Sequence, residues 1–137
     1  MAFDANLVFH DGTTITADIS PTSETVTSGS AVLSIPGGTP AKGLAAVLVM
    51  GADLAETSDT IQVTIEECAT VGGTYVEVTR FPLLTKGTGM PGTYIRRFDS
   101  NKEFIRAKID VTDADAGSDF TVANVYILLA FHPFILL

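Results

Sequence analysis

Apolar and polar residues alternate with a period of two along most of this chain, and Gly, Pro or Ser interrupts the alternation at short intervals. A period of two belongs to a strand with one face on a core and the other in solvent; a helix would repeat every 3.6 residues. Ile15, Ala17 and Ile19 fall on one face of such a run, with Thr14, Thr16 and Asp18 opposite, before Pro21 and Ser28-Gly29 end it. Ala31–Ile35 follows and closes at Pro36-Gly37-Gly38. The run Ile61–Glu66, the pair Gly72-Gly73 and the run Tyr75–Thr79 predict a hairpin whose connection, Glu67–Thr74, is longer than a tight turn. Lys86–Gly92 reads as the most flexible loop and leads into Tyr94–Phe98. In Phe104–Val111 the phase puts Ile105, Ala107, Ile109 and Val111 inward and Arg106, Lys108 and Asp110 outward.

Two segments depart from simple alternation. Thr121–Phe131 is apolar on both faces, which predicts a central strand covered on both sides. Ala41–Glu56 is rich in Ala and Leu and fits either a helix broken at Gly51 or a strand. The β-branched Val47 and Val49, with Gly43 and Gly51 at the flanks, favour a buried strand over Leu44–Met50. Eight or nine strands with no long helix predict an all-β, antiparallel β-sandwich or jelly roll. No repeat, linker or low-complexity stretch divides the chain, so 1–137 is expected to be a single domain, with an N-terminal arm over about 1–12 and an apolar C-terminal segment over 131–137.

Charge and cysteine content narrow the function classes. The net charge of −8 disfavours nucleic acid, whose phosphates would be repelled at long range. Seven of the eight Lys and Arg nevertheless lie between Arg80 and Lys108, a concentration suited to meeting an acidic neighbour or another copy of the chain. With Cys68 alone, no intramolecular disulfide can form, and the expectation is a small buried residue in a protein made in a reducing cytoplasm. Met-Ala-Phe-Asp has no basic n-region, and the apolar stretch Val122–Leu137 contains Asn124, His132 and Pro133, so neither a signal peptide nor a membrane partner is expected.

Catalytic patterns are missing. There is no Gly-x-Ser-x-Gly elbow, and His10 and His132 stand near opposite ends of the chain. The carboxylates of Glu66 and Glu67 would raise the thiol pKa of Cys68, not activate it. Gly87-Thr88-Gly89 leads towards a strand and lacks the helix that would hold a phosphate. The expectation is therefore no enzyme and no cofactor. One acidic loop, Asp110–Asp119, offers Asp113, Asp115 and Asp119 as candidate Ca²⁺ ligands. It departs from an EF-hand: its glycine falls one place early, and Asn124 occupies the position of the bidentate Glu. Ordinary turn chemistry accounts for the same residues.

The segment 125–137 is almost wholly apolar and ends Phe134-Ile135-Leu136-Leu137. Each large apolar side chain gains about 1.5–3 kcal/mol on full burial. The segment therefore calls for a cover, on its own sandwich or on a partner.

Met1–Gly12, the Ile61–Glu66 strand, the Gly72-Gly73-Thr74-Tyr75 turn and the apolar C-terminal strand together resemble the small capsid cement, or decoration, proteins of tailed bacteriophages. The resemblance extends loosely over most of the chain. It implies a jelly roll that forms a homotrimer on the outer surface of the virion and bridges subunits of the major capsid protein, made in the bacterial host cytoplasm, with no catalytic residues. It carries over no contact residue. Interfaces favour Tyr, Phe and Arg as anchors, so Phe9, Tyr94, Arg96, Arg97, Phe131, Phe134, Ile135 and Leu137 are the expected contacts. The alternatives are a carbohydrate- or Ca²⁺-binding β-sandwich module and an adaptor of a phage tail or fibre. A sugar cleft without any Trp would be unusual.

Overall fold

The computed structural model describes residues 7–17, 23–27, 29–35, 40–88, 90–113 and 120–131. Among these there are twelve strands and no α-helix: β1 (Val8–Asp11), β2 (Ile15–Ala17), β3 (Ser23–Val26), β4 (Val32–Ser34), β5 (Ala41–Met50), β6 (Thr60–Cys68), β7 (Val76–Arg80), β8 (Leu84–Thr85), β9 (Gly92–Ser100), β10 (Phe104–Thr112), β11 (Phe120–Val122) and β12 (Val125–Phe131). One sheet has four strands in the order β1-β12-β5-β9. The second runs β3-β10-β6-β7, with β4 also paired to β10 and β8 to β6; β11 and β2 form a small third sheet. Pairing is antiparallel throughout. The result is an all-β sandwich, with more and shorter strands than the eight or nine expected. No helix among the described residues is long and apolar enough to cross a membrane.

Alternation places the core where expected. Ile105, Ala107, Ile109 and Val111 of β10 face inward against Ile61, Val63 and Ile65 of β6, all buried. Leu44, Ala46, Leu48 and Met50 of β5 and Ile127 and Leu129 of β12 close the core from the other sheet. Residues 41–50 are a strand, longer at its start than Leu44–Met50, and Cys68 is buried. The segment expected to be one strand over Thr121–Phe131 is two. Asn124 adopts φ 57°, and its carbonyl accepts the Gly51 amide at 2.9 Å. This turn passes the chain from the small sheet (β11) to the four-stranded one (β12). A side chain at Gly51 would sit 2.7 Å from Asn124 Cβ, so this crossing needs glycine.

Strand β1 carries a bulge. Val8 pairs with Leu128 and His10 with Ile127, so Phe9 is the extra residue, and both Phe9 and His10 turn inward. Phe9 is fully buried, a core residue and not the contact expected from its aromatic type. Phe9 O accepts the Ala31 amide and Gly29 O accepts the Asp11 amide, tying β1 to the loop before β4 and closing this edge between the sheets.

Among the described residues, His10 has no hydrogen-bond partner at either ring nitrogen. Burial lowers its pKa below the ordinary value of about 6.5, with Asp11 opposing. The unfolded chain therefore takes up the imidazole proton at higher pH than the folded one. This contribution to stability is complete above about pH 6.5 and is lost as pH falls, until folded His10 itself protonates. Urea unfolding of wild type and His10→Leu from pH 7.5 to 5.5 should show a loss on acidification in wild type that is smaller in the variant. Parallel profiles would contradict this role.

Candidate interaction face

The two sheets present unlike outer faces. On the six-stranded sheet, the outward residues of β6 and β10 are mostly polar, apart from the Phe104–Cys68 pair at one end, and several engage one another. Arg106 pairs with Glu66 at 2.9 Å and lies 4.0 Å from the Tyr75 ring centroid. Lys108 bridges Asp110 at 3.3 Å, and the Thr25 hydroxyl donates to Asp110 at 2.6 Å. Glu77 stands opposite Glu66 across the β6–β7 pair and is compensated by Arg80. This is a face made for water, as the open side of an antiparallel sheet normally is.

The outer face of the four-stranded sheet is different. The register aligns Val8 with Leu128, Leu128 with Val47, and Val47 with Ile95, so one apolar row crosses all four strands. Ile95 is 47% exposed, whereas Val8, Val47 and Leu128 are partly buried by their neighbours. The adjacent rows are Asp11–Tyr126–Val49–Thr93 and Ala130–Ala45–Arg97. The four-stranded sheet therefore carries apolar residues outside as well as inside, ending at β9, which pairs with no described strand beyond β5. Contiguous apolar surface of this kind marks a contact site more often than a solvated wall.

The expected contact residues divide by phase. Arg97 points outward on β9, as does Ile95, which was not among the expected contacts, whereas Tyr94 and Arg96 share the inward phase with buried Phe98. Tyr94 packs on the core. Arg96 turns over the sandwich edge, 6.0 Å from the Phe81 ring centroid, and its Nε donates to the Arg80 carbonyl at 3.1 Å. Arg97 is exposed, beside a cleft that it lines with Gly43, Leu44, Phe98 and Asp99. Phe131 ends β12 opposite Leu44. Phe134, Ile135 and Leu137 lie outside the described residues, as does His132. Five of the seven basic residues from Arg80 to Lys108 are engaged within the chain. Arg80, Arg106 and Lys108 pair with carboxylates, and Lys86 and Arg96 donate to backbone carbonyls.

A second constellation lies at one end of the sandwich. Thr60 of β6 pairs with Thr112 of β10, which sets Asp59 and Asp113 side by side at the strand ends. Asp59 shares the inward phase of Ile61 and Val63, and Asp113 that of Ile109 and Val111; both carboxylates are 1% exposed. Glu56 reaches them across a short turn in which the Asp59 amide donates to the Glu56 carbonyl at 3.2 Å. One oxygen of each carboxylate lies within 4.8 Å of the others. Of the expected metal candidates, Asp113 is here, with partners from a different loop, and Asp115 and Asp119 fall outside the described residues. The Lys86–Gly92 loop beside it is tied down at its start: Gly87 donates to Asp53 at 3.0 Å, and Lys86 Nζ donates to the Ala55 carbonyl at 2.9 Å.

Strand order, pairing and core together define the molecule as an antiparallel all-β sandwich. Comparison with protein-family models, curated proteins and solved structures found no match for this chain.

Proposed function

We propose that this protein is a structural virion component, a capsid decoration protein that assembles as a homotrimer and cements neighbouring subunits of the major capsid protein from outside. The observation that carries the reading is the apolar row Val8–Leu128–Val47–Ile95 on an outer sheet face that would ordinarily be polar. Its occupant in this reading is the same face or edge of another copy, with Ile95 on open strand β9 as the anchor.

Connectivity supports it. When β3 and β4 count as one interrupted strand along β10, and β2, β8 and β11 are set aside, eight main strands remain. In chain order, the sheets then read first-eighth-third-sixth and second-seventh-fourth-fifth. We infer from this order the two interlocked Greek keys of a jelly roll, an architecture used by capsid and lectin domains alike. The net charge of −8 keeps such a protein off packaged DNA, and a trimer presents three footprints whose modest affinities combine through effective concentration. The test is the mass in solution, by light scattering over a range of concentrations: a stable trimer is expected, and a monomer throughout would overturn the assembly.

A further inference from the structure

Asp59 is the least expected residue of the fold. It is 1% exposed, it is an acid, and its Oδ1 is buried with no hydrogen-bond partner among the described residues. A carboxylate removed from water is tolerated only when it is protonated, paired, or coordinated. Here two further carboxylates, Glu56 and Asp113, approach it, and like charges at this range worsen the cost. A nearby cation, Lys86, is engaged elsewhere, donating to the Ala55 carbonyl at 2.9 Å.

We propose that Glu56, Asp59 and Asp113 hold a Ca²⁺ ion that clamps the 51–59 loop to the end of β10. The donors are all oxygen, which selects a hard cation over Zn²⁺ or Cu²⁺. One oxygen of each carboxylate lies within 4.8 Å of the others, close enough to share one ion, and Ca²⁺ accepts such side-chain oxygens in flexible geometry, whereas Mg²⁺ demands a near-ideal octahedron and keeps several waters. Register brings the ligands together: Asp59 and Asp113 leave paired strands in the same inward phase, and the Glu56–Asp59 turn adds the third. Burial, then the Asp113 charge, push the Asp59 pKa upward, with Lys86 opposing, and a bound divalent ion would reverse that balance. The site is independent of the apolar face and of the capsid reading.

The test is thermal unfolding of the full chain in EDTA, in millimolar CaCl₂, in millimolar MgCl₂ and in NaCl of matched ionic strength. At a Ca²⁺ concentration about 100 times Kd, Tm should rise by roughly 5–10 °C, and isothermal titration should give one ion per chain. Asp59→Asn should melt in EDTA no lower than wild type, because it removes a buried charge, and should lose the Ca²⁺ response. Glu56→Gln, at the partly exposed member, should weaken Ca²⁺ binding at least tenfold, and it carries the test if Asp59→Asn does not fold. A wild-type Tm that moves no more in Ca²⁺ than in NaCl would overturn the site. An undiminished response in the variants would do the same, and an equal rise in Mg²⁺ would overturn the choice of ion.

Discussion

Replacing Phe9 by alanine should destabilise the isolated chain by about 3–5 kcal/mol, the cost of emptying a large aromatic site in a close-packed core. The residue is fully buried and is the extra member of the β1 bulge. Its backbone carbonyl accepts the Ala31 amide at 2.7 Å, so the ring and the main chain at one position fasten both the core and the closed edge. A single domain has only about 5–15 kcal/mol in hand, so the variant should unfold well before wild type in urea or should be recovered largely unfolded. Phe9→Leu keeps much of the volume and should cost less. A Phe9→Ala protein with wild-type stability but impaired assembly would return Phe9 to the surface and contradict the bulge.

Ile95→Asp should do the opposite, leaving the monomer's stability nearly unchanged while abolishing self-association. Ile95 is about half exposed on an open edge strand, where a substitution outside the core usually alters stability by under about 0.5 kcal/mol. In an interface, loss of a central anchor typically costs 2 kcal/mol or more, about 30-fold in each contact, and burying an unpaired carboxylate costs further. The expected light-scattering result is a trimer for wild type and a monomer for Ile95→Asp over the same concentrations. Arg97→Ala, one place along on the same outer face, should weaken association less. A trimer that survives Ile95→Asp would place the contact elsewhere on the molecule.

What could be read from the sequence was what a single strand determines for itself. The phase of β10, the hairpin partners β6 and β7, and the strand nature of Val47 and Val49 all follow from alternation and β-branching, which act over a few residues. What escaped depends on pairing between distant strands. The bulge at Phe9 adds one residue to the phase of β1, and no local pattern marks it. The apolar row joins Val8, Val47, Ile95 and Leu128 only after three registers are set. In the same way, Asp113 was a visible candidate ligand, but its companions Glu56 and Asp59 are more than 50 positions away and meet it only through the Thr60–Thr112 pair. Tyr94, Arg96 and Arg97 were chosen by residue type; the phase of buried Phe98 would have assigned Tyr94 and Arg96 inward, kept Arg97 outward and added Ile95.

The proposed decoration role is tested most directly by co-sedimentation with tailed-phage capsids stripped of their outer proteins, from the phage to which the proposal would assign the chain. Wild type should pellet with the shells and saturate at a fixed ratio of trimers to capsid subunits, while Ile95→Asp stays in the supernatant. Wild-type protein that remains in the supernatant with intact shells would contradict a decoration role.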